Sequence, residues 1–135
     1  MTNFIQQQKE AGKEFLSKNK EQEGVIELDN GIQYLIVQEG TGKTPLVTDT
    51  ILAHYKGSLL NGNEFDSSYK RGKPFSAPIL ALIKGWQVAI PMMKEGSIWR
   101  LWIPSDLAYG DRGSGSIPGG ATLLFEVELI SIVNK

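Results

Sequence analysis

The chain has 135 residues, 41% of them hydrophobic and 21% charged, which suits a single globular domain with an ordinary core. A formal charge of -1 gives no electrostatic reason to expect a nucleic-acid partner, because non-specific binding there rests on neutralising phosphates. Cysteine is absent, which excludes disulfides, thiolate nucleophiles and cysteine-based zinc sites and selects neither redox compartment.

Residues 2–22 read as a polar helix rich in Lys, Gln and Glu, with Ile5, Gln8, Gly12 and Phe15 at helical spacing. Its apolar content is Phe4, Ala11, Phe15 and Leu16, too thin a stripe to fold alone. Either this helix packs on or frays from the domain, or it belongs to a dimerisation arm. Residues 1–23 are therefore set apart from residues 24–135. No apolar run reaches the length of a membrane span, and "MTNFIQQQKEAGKEF" lacks the apolar h-region of a secretory signal.

From residue 24 the period changes. "GVIELDNGIQYLIVQEG" holds an Asn-Gly turn at 30–31 between two strand-like runs. In "TDTILAHYKGSLLNG" the residues Ile51, Ala53 and Tyr55 share one face, and Leu52 and His54 the other. "NEFDS" reads as a short strand and "GKPF" as a turn into another. "ILALIKGWQVAIPMM" has helical spacing, with Leu82, Ile83, Trp86, Ile90 and Met93 toward a sheet, and Pro91 ends or kinks it. "GSIWRLWIP" alternates again, and "ATLLFEVELISIV" is a long closing strand. The pattern predicts an α+β fold: a twisted antiparallel sheet wrapped around one short helix, preceded by an N-terminal helix.

Several motifs look catalytic and fail on spacing. "EGTGKT" at 39–44 resembles the end of a phosphate loop, but the glycine required five residues before Gly42 is Val37, and no helix follows. His54 is the only histidine, so a two-histidine metal motif is excluded and a serine triad would need a base inside a strand. No serine sits in a G-x-S-x-G elbow, and "DRGSGSIPGG" reads as a flap. Glu64 and Asp66, two apart on one strand, are the remaining pair for a glycosidase-like hydrolase, yet such pairs normally face each other from separate segments. Neither a cofactor nor a metal is expected.

What the sequence does hold is aromatic residues at turns and element ends. "AHYKGSLLNGNEFDSS", "GKPF", "LIKGW", "IPSDLAYG" and "IPGGATLLFEVELI" resemble, in family order, the motifs of the FKBP family of macrolide-binding peptidyl-prolyl cis-trans isomerases. The resemblance runs from about residue 24 to 134. The N-terminal helix and "GVIELDNGIQY" further resemble the bacterial macrophage-infectivity-potentiator-like subgroup.

The resemblance implies that residues 24–135 form the isomerase domain and that Tyr55, Phe65, Phe75, Leu82, Ile83, Trp86, Tyr109, Ile117 and Phe125 line its cleft. Trp86 would be the floor under the substrate proline. The Ile83 N–H and the Tyr109 hydroxyl would bond substrate or macrolide carbonyls. Asp66 would sit at the wall with Tyr55 and Arg71 as polar partners. Asp66, Tyr109, Phe65 and Trp86 would carry the catalysis. Partners would be proline-containing polypeptide chains and macrolide inhibitors, with a homodimer through the N-terminal helix. The chain as written suits the bacterial cytoplasm; with a signal removed it would suit the cell envelope or periplasm.

Elementary chemistry agrees with such a site. Rotation about a peptide bond meets a barrier of roughly 18–20 kcal/mol because of its partial double-bond character. A twisted amide is less charge-separated than a planar one, so an apolar cleft favours it. Asp66 then orients and needs transfer no proton. A competing reading is a chaperone-like binding module that uses the same cleft without turnover. Trp99, Trp102 and Phe15 are expected in the core. Lys84 in "LIKGW", a short 110–118 flap and Pro78 before "ILAL" set this chain apart from relatives and bear on its sequence preference.

Overall fold

The polar N-terminal stretch folds into one helix, α1 (Phe4–Asn19), in a computed structural model that describes residues 3–133. Residue 2 of the expected helix lies outside the described residues, and the helix ends at Asn19, before the expected residue 22. Asn3 caps its start by accepting from the Gln6 N–H at 2.7 Å. Close packing makes up for its thin apolar stripe. A Cβ on Gly12 would lie 2.1 Å from Thr122 Oγ1, so only glycine lets the helix come this near. At its far end the buried amides of Asn19 and Gln33 bond to each other at 2.9 Å, and Gln33 donates to the Leu16 carbonyl at 2.9 Å. Both of these buried amides therefore have partners, as burial demands.

The strands are β1 (Ile26–Glu27), β2 (Gln33–Gln38), β3 (Thr50–Leu59), β4 (Glu64–Ser67), β5 (Phe75–Pro78), β6 (Ile98–Ile103) and β7 (Leu123–Ile132). They form one antiparallel sheet in the order β1-β2-β6-β7-β3-β4, and β5 also pairs with β3. Both β5 and β4 lie along the same side of β3 in tandem. β5 covers Thr50 to Ala53 and β4 covers Lys56 to Ser58, so His54 and Tyr55 fall between them.

Alternation decides the core. Ile51 and Ala53 of β3, Leu101 and Ile103 of β6, and Leu123, Val127 and Leu129 of β7 are fully buried on one face. The helix α3 (Lys84–Ala89) packs Trp86 and Ala89 into that face. The expected helix over 79–93 is three pieces. A 3-10 turn (Ile79–Ala81) comes first, Leu82 and Ile83 are extended, and α3 runs into a second 3-10 turn (Ile90–Met92) at Pro91. Gln87 fixes the extended pair by donating to the Leu82 carbonyl at 2.8 Å. Trp99 and Trp102 are buried as expected, with Trp99 stacked on Tyr34 at 4.4 Å, while Phe15 is half-buried.

Two short elements escaped sequence reading: a single helical turn, α2 (Ser68–Arg71), and a 3-10 turn (Ser105–Leu107). Ser67 caps α2 by accepting from the Lys70 N–H at 3.3 Å. Gly72 ends it at φ +79°, a conformation that favours glycine.

Candidate functional site

A cleft of about 290 Å³ opens where α3 meets the sheet, lined by Tyr55, Phe65, Asp66, Phe75, Ala81, Leu82, Ile83, Trp86, Tyr109 and Phe125. β3 supplies Tyr55, β4 supplies Phe65 and Asp66, β5 supplies Phe75, and β7 supplies Phe125. The indole of Trp86 is the hub. Tyr55, Phe75 and Phe125 meet it edge-on, with centroids at 5.2, 5.8 and 5.2 Å, the arrangement aromatic quadrupoles favour. Phe65 meets Phe125 edge-on at 5.6 Å.

Simple alternation would send Phe65 and Asp66 to opposite faces. Both line the cleft because the register of β4 on β3 slips there: Gly57 pairs with Asp66 and Ser58 with Glu64, leaving Phe65 as the extra residue of a bulge. Gly57 makes room for it. A Cβ there would come within 2.6 Å of Phe65 and 2.7 Å of Phe125.

Asp66 is held from two sides. The Tyr55 hydroxyl donates to one carboxylate oxygen and Arg71 to the other, and Arg71 also donates to the Tyr55 oxygen at 3.2 Å. Burial works against the charged form of Asp66. The bonds from Tyr55 and Arg71, the arginine's charge and the Ser67 N–H outweigh it, so the pKa lies below the usual aspartate value. Burial raises the pKa of the Tyr55 phenol, and the bond to Asp66 raises it further. Burial and then the Asp66 charge do the same to Tyr109. The cleft therefore presents neutral phenols and one fixed carboxylate at neutral pH.

Arg71 stands where it was expected, bonded to Asp66, exposed and outside the residues that line the cleft. Ile117 is also outside that lining; it is 8% exposed and packs in the cluster that holds Trp86 and Phe125. Its backbone forms a two-bond bridge with Ser114, at 3.0 and 2.8 Å. Ala81 lines the cleft and was not foreseen; an alanine in an apolar run carries no signal. The Ile83 N–H is used by none of the backbone hydrogen bonds among the described residues.

The hydrolase-like arrangements do not form. Glu64 pairs with Lys70 at 2.9 Å and borders a separate depression with Lys56, Arg100 and Glu126. His54 lies 2.7 Å from Ser68 Oγ, but Ser68 is fully buried and its hydroxyl is engaged with the Tyr55 backbone. In "EGTGKT" the N–H groups of Gly42 and Lys43 are taken by Glu95, so no phosphate cradle is left. Among the described residues no group of three or more His, Asp or Glu is placed to hold a metal, and no helix is long and apolar enough to cross a membrane.

A sheet wrapped on one short helix, with an aromatic cleft at their junction, defines a class of protein, and comparison identifies it. A family model described as FKBP-type peptidyl-prolyl cis-trans isomerase matches residues 42–130. A model of the domain amino-terminal to that isomerase matches residues 2–36. The chain belongs to the FKBP-type peptidyl-prolyl cis-trans isomerase family.

It is 45% identical over 127 residues to the peptidyl-prolyl cis-trans isomerase Mip of Coxiella burnetii, covering 93% of this chain and 55% of that one. It is 45% identical over 123 residues to the FKBP-type 22 kDa isomerase of Escherichia coli, covering 90% and 60%. Its fold matches the crystal structure of FkpA from Escherichia coli with a TM-score of 0.91 at 39% identity, covering 93% of this chain and 59% of that one. An isomerase structure from Pseudomonas syringae matches with a TM-score of 0.90 at 34% identity over 99% of both chains. The chain thus spans roughly half the length of the curated relatives it matches.

Proposed function

We propose that this protein accelerates cis-trans isomerisation of X-Pro peptide bonds in polypeptide chains, a step slow enough uncatalysed, at tens to hundreds of seconds, to limit folding. The observation that carries the reading is a cleft whose walls are aromatic and aliphatic and whose only carboxylate is already engaged by Tyr55 and Arg71. Nothing in it is positioned as a nucleophile, and bond rotation needs none. Trp86 serves as the floor for the proline ring. The Ile83 N–H and the Tyr109 hydroxyl bond the flanking carbonyls, and Phe65 and Phe125 offer apolar area to the residue before the proline. Asp66 fixes Tyr55 and adds a field that favours the twisted amide.

Macrolides of the kind the family is known for fit the same walls, and residues 24–135 act as the isomerase domain behind the 1–23 helical segment. A homodimer through α1 is supported by the match of residues 2–36 to the amino-terminal model. Sedimentation of the chain with and without residues 1–23 tests it.

The test of the activity is exchange NMR on a Leu-Pro peptide with catalytic amounts of protein. Acceleration that falls about tenfold or more in Trp86→Ala, where the floor is removed, supports the cleft. A smaller fall in Asp66→Asn with the fold intact supports its orienting role. No acceleration from folded wild-type protein refutes the proposal.

A further inference from the structure

The side of β3 that carries β5 and β4 has a break in it. β5 begins with Phe75 opposite Ala53, and β4 ends with Ser67 opposite Lys56, so no strand lies beside Tyr55 there. The sequence fills the break with one hydroxyl. Ser68 Oγ accepts from the Tyr55 N–H at 2.7 Å and donates to the Tyr55 carbonyl at 3.2 Å. It thereby replaces both partners that a strand would supply. Ser68 is fully buried, so water does not substitute for it.

We propose that Ser68 is a positioning residue for the cleft, acting through Tyr55 and Arg71. Tyr55 is one of the two side-chain donors to Asp66. The other, Arg71, ends the helical turn α2 that Ser68 begins. One hydroxyl therefore fixes the strand that carries the phenol and the turn that carries the guanidinium.

His54 completes the device. His54 Nδ1 lies 2.7 Å from the same hydroxyl. The ring is held in place by stacking on Tyr69 at 4.4 Å, and the Tyr69 hydroxyl donates to Glu128 at 3.0 Å. The chain of contacts runs from the outer face of the sheet to Tyr55 at the cleft wall.

The functional part of this inference rests on the proposed isomerase reading; the structural part does not, and the experiment separates them. Ser68→Ala is compared with Glu95→Gln, a change in the turn that bonds the Ile132 N–H at the end of β7, at a temperature where both are folded. The readouts are amide exchange at Tyr55, the Tyr55 phenol ¹³Cζ shift and Leu-Pro exchange. Expected for Ser68→Ala are Tyr55 amide exchange faster by about tenfold, consistent with a buried donor left unpaired, a moved ¹³Cζ resonance, and kcat/KM down by about threefold to tenfold. Glu95→Gln should leave all three at wild-type values.

Wild-type values of the ¹³Cζ shift and kcat/KM in Ser68→Ala would overturn the proposal. If wild-type protein does not accelerate exchange, the isomerase reading fails, and the Tyr55 amide and ¹³Cζ signals still decide the role of Ser68. Should Ser68→Ala not fold, the wild-type Tyr55 amide decides. Protection equal to that of Ala53 supports the bond, and exchange as fast as in the Asn61-Gly62 turn refutes it.

Discussion

Replacing Gly57 by alanine tests the packing of two cleft rings, Phe65 and Phe125. The added Cβ would lie 2.6 and 2.8 Å from Phe65 ring carbons and 2.7 Å from a Phe125 carbon. Comfortable carbon–carbon contact is about 3.5–4.0 Å, so the overlap is on the order of 1 Å against two rings at once. The Gly57 backbone has no positive φ, so the effect is steric rather than conformational. Phe125 is 3% exposed and packed against Trp86, so it has no room to retreat, and Phe65 must turn outward. Overpacking of this kind costs about 1–3 kcal/mol, which lowers Tm by roughly 4 °C per kcal/mol for a chain of this size. Calorimetry should therefore show a fall of roughly 8 °C, and exchange NMR a loss of about tenfold in kcat/KM for a Leu-Pro peptide as one cleft wall is displaced. A variant with wild-type Tm and kinetics would refute the packing argument.

Gly12→Ala carries a sign that separates packing from propensity. In a free helix the change stabilises by about 0.5–1 kcal/mol, whereas here the new Cβ meets Thr122 at 2.1 Å and denaturant unfolding should show a loss of about 1–3 kcal/mol. Glu95 accepts from the N–H groups of Ile132 and Lys43, which hold its pKa below the usual glutamate value. Its folded pKa being the lower one, its stabilisation is complete above the unfolded pKa and vanishes as pH falls through the folded one. Thermal unfolding of Glu95→Gln should therefore depend less steeply on pH in the acid range than that of wild type. Tyr55→Phe removes a hydrogen bond to the charged form of Asp66 and so raises that pKa. The acid limb of kcat/KM should move to higher pH, and an unmoved limb would separate Asp66 from the activity.

The long strands β3, β6 and β7 and the α3 region were legible because each is long enough to show its period: Ile51, Ala53 and Tyr55 on one face, and Trp86, Ile90 and Met93 inward. The turn α2 was not, although both its punctuation marks, Ser67 and Gly72, stand in the sequence; four residues are too few to show a period. The bulge at Phe65 was invisible for the opposite reason. Period-two reading has no term for an extra residue, and the slip that brings Phe65 and Asp66 together is recorded only in the pairing with Gly57. Nor does burial separate a cleft aromatic from a core one. Trp86 and Trp99 are both 4% exposed, and what distinguishes them is the open volume beside the first. Resemblance to a family supplied that distinction.

The helix α1 touches more than Thr122. A Cβ on Gly120 would lie 2.6 Å from the Ile5 carbonyl oxygen, and one on Gly119 would lie 3.3 Å from the Ile5 side chain. Lys9 pairs with Asp111 at 2.8 Å. These residues belong to the segment that begins just after Tyr109, and the Gly120 N–H closes it on the Gly110 carbonyl at 2.9 Å. Each residue fixed in one conformation loses about 1–2 kcal/mol of backbone entropy. With α1 against the segment, that entropy is lost once, when the chain folds, and not again at every encounter with a polypeptide. Preorganisation of this kind lowers the entropic cost of each binding event and leaves no ordering step to precede it, so the cleft stands formed between one encounter and the next.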